Sequence, residues 1–143
     1  MTSAAPLATL IIGEHSSIAA ALTAVLNQLG ATLIDHAPNG AAALLLMREK
    51  SYQLLISDWT MEPVSGLQLL KFVRAEPELA HVRFIIACPR GNRAAEIAIR
   101  EAGADGVLVE PSSPESIKKT ILHVLHPDAN SGRKHAKARS KNA

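Results

Sequence analysis

Leu54-Leu55-Ile56-Ser57-Asp58-Trp59-Thr60-Met61 runs three bulky apolar residues into a serine and an acid. An unbroken apolar run of this length reads as a strand buried on both faces, because a strand with one wet face alternates apolar with polar. Three further runs have the same character, Leu10-Ile11-Ile12, Thr32-Leu33-Ile34 and Phe84-Ile85-Ile86, and Val107-Leu108-Val109 makes a fifth. Between them apolar residues recur at helical spacing, as in Ile18, Leu22, Val25, Leu26 and Leu29, in Ala43, Leu44 and Met47, and in Leu67, Leu70 and Val73. Stop and start signals agree: Ser16 or Ser17 caps the first helix, Gly30 ends it, Asn39 precedes the second, Gly103 follows the fourth, and Ser113 with Ser116 opens the fifth. Strand and helix alternate five times, which predicts an α/β fold with a doubly wound, five-stranded parallel sheet and five helices.

Such sheets carry their sites beyond the carboxyl ends of the strands. The residues to inspect are therefore Gly13 and Glu14, His36, Asp58, Cys88 and Glu110, which stand at the ends of the five runs in order. Glu14, Asp58 and Glu110 are expected to converge there with Cys88 beside them, and carboxylates so gathered suit a hard divalent cation such as Mg²⁺.

Composition bounds the function classes. The chain has 143 residues, 48% hydrophobic and 20% charged but only 3% aromatic, so a single core is built from Ala, Leu, Ile and Val. Cys88 is the only cysteine, which excludes an intrachain disulfide and a Cys-based zinc site and fits a reducing, cytoplasmic setting. No apolar run approaches a membrane span, and residues 1–6 lack the pattern of a secretory leader. The net charge of +2 is unevenly placed: Arg133, Lys134, Lys137, Arg139 and Lys141 face only Asp128 within residues 126–143, which leaves residues 1–125 at −2. The chain therefore divides into a domain over residues 1–125 and a basic tail over residues 126–143, whose small polar composition predicts disorder.

The stretch Leu54 to Met61, followed by Pro63 and Gly66-Leu67-Gln68-Leu69-Leu70, resembles the third strand and following helix of response-regulator receiver domains, including the stand-alone chemotaxis type. Ala102-Gly103-Ala104-Asp105-Gly106-Val107-Leu108-Val109-Glu110-Pro111 resembles the alanine-glycine-alanine motif of those receivers and the turn after their fifth strand. The likeness covers residues 8 to about 125 with matching spacings. It implies a flavodoxin-like sheet in the order 2-1-3-4-5, with Asp58 as the residue that accepts a phosphoryl group from a histidine kinase or phosphotransfer protein. It also implies Glu14, Asp58 and the Thr60 backbone carbonyl as ligands for Mg²⁺, and a cis peptide before Pro111.

The sequence departs from the family at the groups that handle the phosphoryl. Where receivers have two acids after the first strand, this chain has Gly13-Glu14; where they have a hydroxyl residue, it has Cys88, a feeble donor. The lysine that ends the fifth strand is replaced by Glu110, and the aromatic switch residue by Val107. At an effective dielectric near 20 and a separation of roughly 6 Å, one charge interaction is worth about 3 kcal/mol, so exchanging lysine for glutamate shifts the balance by about 6 kcal/mol before screening. Arg90 could swing in to offset part of this, although an arginine on a loop is more often solvated. Carboxylates near Cys88 disfavour a reactive thiolate. Trp59 suits either a partner surface or half-buried packing.

The expectation is an atypical, non-enzymatic, single-domain response regulator with weakened Mg²⁺-dependent phosphorylation. It would act by contact with a downstream protein, through the fourth helix, fifth strand and fifth helix, as a monomer or weak dimer. No helix-turn-helix follows, so sequence-specific DNA binding is not expected. The alternative is a phosphorylation-independent effector that binds a phosphate-containing ligand through Arg residues and the basic tail. An enzyme on the same fold is the weakest option, for want of a Gly-rich phosphate loop after the first strand.

Overall fold

The computed structural model describes residues 7–13 and 18–127. Along them run β1 (Ala8–Ile12), α1 (Ala19–Gln28), β2 (Leu33–Ala37), α2 (Gly40–Glu49), β3 (Leu54–Asp58), α3 (Gly66–Ala75), β4 (Arg83–Pro89), α4 (Arg93–Glu101), β5 (Gly106–Glu110) and α5 (Pro114–Leu125). The strands form one sheet in the order β2-β1-β3-β4-β5, every neighbouring pair parallel. Glu14 and the candidate caps Ser16 and Ser17 lie outside the described residues, as does the chain from residue 128 onward.

The apolar runs explain the layering. Side chains alternate across a strand, so Leu10, Ile12, Leu55, Phe84, Ile86 and Cys88 face one side, where α2, α3 and α4 add Ala43, Met47, Leu69, Leu70, Val73 and Ile99. Ile11, Leu54, Ile56, Ile85, Ala87 and Leu108 face the other, against Leu22, Val25 and Leu26 of α1 and Ile117, Ile121 and Val124 of α5. Phe84 is the one fully buried aromatic; Tyr52 is buried near the rim of the same layer, and most of the remaining core is aliphatic.

Local signals place the helices. Asn39 accepts the Ala42 amide at 2.9 Å and Ser113 the Ser116 amide at 3.1 Å, as expected of N-caps. Gly30 and Gly103 follow α1 and α4 with φ of +85° and +105°, the left-handed geometry that ends helices and suits glycine. The start of α1 differs from expectation, since Ile18 occupies the cap position without a side-chain hydrogen bond; its buried side chain anchors the turn instead. The second strand is longer than its apolar run, extending through Asp35 and His36 to Ala37. As an edge strand it has less to bury, and polar residues are compatible with its ladder.

Candidate functional site

β3 lies between β1 and β4, with Ile12 in register with Ser57 and Asp58 with Ala87. This pairing carries Asp58, the last residue of the strand, to the carboxyl edge of the sheet at the point where strand order reverses. The backbone around it is tightly held: the Trp59 amide donates to the Ala87 carbonyl at 2.8 Å, the Gly66 amide to the Trp59 carbonyl at 3.1 Å, and the buried Ser57 hydroxyl to the Asp58 carbonyl at 3.0 Å.

Two glycines make room for this residue. Gly13, with φ of +144°, follows β1 and donates its amide to the Ala37 carbonyl at 2.8 Å. A Cβ at Gly13 would collide with Asp58 Oδ2 and stand 2.7 Å from its Cγ, so the carboxylate occupies the volume a side chain would need. Gly66 opens α3 directly against the Asp58 carbonyl, where a Cβ would also collide. The sequence pattern does not disclose either approach. It does disclose the Ser65/Gln68 capping box that starts α3, through its Ser-x-x-Gln signature.

Glu110 ends β5 at the same sheet edge as Asp58, with β4 between them. Cys88 lies within β4 rather than after it, and its side chain is fully buried in the layer under α2, α3 and α4. Burial first, and then the Glu96 and Glu110 carboxylates, push its thiol above the usual cysteine range, against a smaller opposing pull from Arg100. Val107 faces the same layer. Arg90 is exposed, its amide donating to the Glu110 carbonyl at 2.8 Å and its guanidinium to the Pro111 carbonyl at 2.9 Å. It is thereby tied to the turn after β5. That turn contains the expected cis peptide before Pro111, and a second cis bond, before Pro63, lies in the loop after Asp58. Trp59 is half-buried against the same layer as Cys88.

Among the described residues, no three of His, Cys, Asp and Glu group as metal ligands; Glu14 lies outside them. The Asp58 carboxylate and the Thr60 main-chain carbonyl are oxygen donors of the kind Mg²⁺ accepts while keeping several waters. The seat of Asp58 over Gly13 leaves no space for an acidic side chain at the first of the two positions after β1.

Residues 9–122 match the family of response regulator receiver domains. The chemotaxis protein CheY of Pseudomonas aeruginosa is 29% identical over 116 residues, covering 81% of this chain and 94% of that protein. A CheY homolog of Campylobacter jejuni is 29% identical over 124 residues, covering 86% and 95%. Among solved structures, the chemotaxis response regulator CheY4 of Vibrio cholerae aligns with a TM-score of 0.75 at 23% identity, over 84% of this chain and 99% of that one. That last likeness concerns the fold.

Proposed function

The chain belongs to the response regulator receiver family, and from that premise we propose that it is an atypical receiver with Asp58 as phosphoryl acceptor, in a site that forms and holds the aspartyl phosphate poorly. Receivers act in two-component signalling with kinases or phosphotransfer proteins and with targets, and generally bind Mg²⁺ at the acceptor. In the proposed step an Asp58 carboxylate oxygen attacks the phosphorus of a phosphohistidine. The P–N bond breaks, and the departing imidazole nitrogen takes up a proton.

The observation that carries this reading is Glu110 closing β5 at the edge where Asp58 closes β3. An anion placed there opposes the three negative oxygens of a bound phosphoryl, and the buried Cys88 thiol is a weak donor in place of a hydroxyl. Bound Mg²⁺ would supply part of the missing positive charge; Asp58, the Thr60 carbonyl and, by the family likeness, Glu14 would hold it, more weakly than two adjacent acids allow. Output follows by protein contact without catalytic turnover, in a cytoplasmic setting. Among the described residues no helix is long and apolar enough to cross a membrane.

The test is incubation with acetyl phosphate or phosphoramidate and Mg²⁺, followed by intact mass. The expected result is slow, partial modification that is absent in Asp58→Asn and increased in Glu110→Lys. Rapid, complete and long-lived modification of the unaltered chain would overturn the weakened-site reading. Modification that persists in Asp58→Asn would overturn the assignment of the acceptor.

A further inference from the structure

A groove of about 960 Å³ lies at the amino end of the sheet, the end opposite Asp58. Its walls come from separate segments: the end of α3, the residues leading into β4, the last turn of α4, the start of β5 and the later half of α5. Arg74, Arg83, Arg100 and Lys119 bring positive charge to it, and Glu101 and Asp105 bring negative charge.

These charges are not equivalent. Asp105 is already engaged, meeting Arg74 at 2.8 Å, Arg83 at 3.8 Å and the Phe84 amide at 2.9 Å. Arg74 is engaged too, through the carbonyls of Gly103, Ala80 and Val82. Arg100 and Lys119 are exposed, and among the described residues neither forms an ion pair. A cation in the last turn of a helix can be accounted for by the partial negative charge of the helix end. That explains Arg74 and Arg100, and Arg83 faces Asp105 at 3.8 Å, but neither reason covers Lys119, which stands near the middle of α5. Over residues 1–125 the chain is net negative, so a positive groove there is a local segregation of charge. Pro127 lines the same groove, and the sequence that continues from it carries five further Lys and Arg. Like charge argues against the chain's own tail as the occupant.

We propose that this groove is a binding site for a small phosphate-bearing anion of about nucleotide size, held between Arg100 of α4 and Lys119 of α5. The volume lies within the range of small-molecule sites, and guanidinium and ammonium groups are the side chains that meet phosphate oxygens best. Such a ligand touches α4 and α5 together, the two helices beside the edge strand β5. Occupancy of the groove therefore bears on the surface those helices present, without any chemistry at Asp58.

The test is calorimetric titration of the full chain with ATP and, separately, with inorganic tripolyphosphate, in EDTA so that no cation bridges the anions to carboxylates. Uptake of ATP well above that of tripolyphosphate assigns a nucleotide; equal uptake assigns the polyphosphate group itself. The double substitution Arg100→Glu with Lys119→Glu, both exposed and checked by circular dichroism for retained folding, is expected to weaken binding at least about tenfold, since an attraction becomes a repulsion at two positions. The single substitution Lys119→Met is expected to weaken it several-fold with less perturbation. Asp58→Asn is expected to leave binding unchanged, so a failed acceptor assignment and a failed groove assignment give different patterns. The proposal is overturned if neither anion binds, if the double variant binds like the unaltered chain, or if removing residues 128–143 abolishes binding while the double variant retains it.

Discussion

At the scale of single residues, Gly13 and Asp58 contend for one volume. A side chain at Gly13 meets both a positive φ and the Asp58 carboxylate, so Gly13→Ala is expected to cost about 1–3 kcal/mol in chemical denaturation, the usual range for a non-glycine residue forced into a sparse backbone region. Gly13→Asp, which on paper restores the paired acids of the family, is expected to lower Tm and leave Mg²⁺ affinity no higher. A variant as stable as the parent with tighter Mg²⁺ binding by titration would show that Asp58 yields the space instead. The replacement of the acid was legible in the sequence, as were Cys88 and Glu110. The collision was not, because it arises only when β1 and β3 are set side by side in register. Arg90 shows a similar limit: its place on a loop could be read, but the Pro111 carbonyl that holds it belongs to another turn.

At the scale of elements, one arginine joins α3 to the strands that follow. Arg74 donates to the carbonyls of Gly103, Ala80 and Val82 and pairs with Asp105, which in turn accepts the Phe84 amide at the start of β4. Arg74→Ala is expected to destabilise the fold by about 2–4 kcal/mol in urea titration, because it removes the nearest cation from a half-buried carboxylate and the donor to three carbonyls. At the other edge, Asp35 of β2 accepts hydrogen bonds from Tyr52 at 2.5 Å and Lys50 at 3.0 Å. Tyr52 and then Lys50 hold the Asp35 carboxyl below its ordinary 3.8, while burial and the bond to Asp35 raise the Tyr52 hydroxyl above 10.0. A depressed carboxyl lends stability that is present above 3.8 and lost as pH falls below it; a raised phenol lends stability that is present below 10.0 and lost as pH rises beyond it. Tyr52→Phe is therefore expected to flatten both limbs of a plot of Tm against pH, and an unchanged acid limb would remove Tyr52 from the account. Strands β1, β3, β4 and β5 were legible from their unbroken apolar runs. The full length of β2 was not, because Asp35 and His36 interrupt the pattern at an edge where nothing demands apolar residues. The beginning of α1 was less legible: the serines that look like caps lie outside the described residues, and the cap position itself falls to the buried Ile18.

At the scale of the whole molecule, the sheet serves two separate interiors, one beneath α1 and α5 and one beneath α2, α3 and α4. Positive charge gathers at the amino end of the sheet, and two acids, Asp58 and Glu110, close strands at the carboxyl end. Composition showed the imbalance between body and tail, but the groove is assembled from segments far apart in the chain, and no local pattern announces it. The placement of Cys88 has a practical sequel. As the sole thiol of the chain, sealed at zero exposure within one interior, it can meet a bulky alkylating reagent only when that interior opens. Its labelling rate is thus a clock for the breathing of a single half of the protein, readable without any added probe. Denaturant should quicken that clock in step with global unfolding if the two halves open as one unit, and ahead of it if they come apart separately.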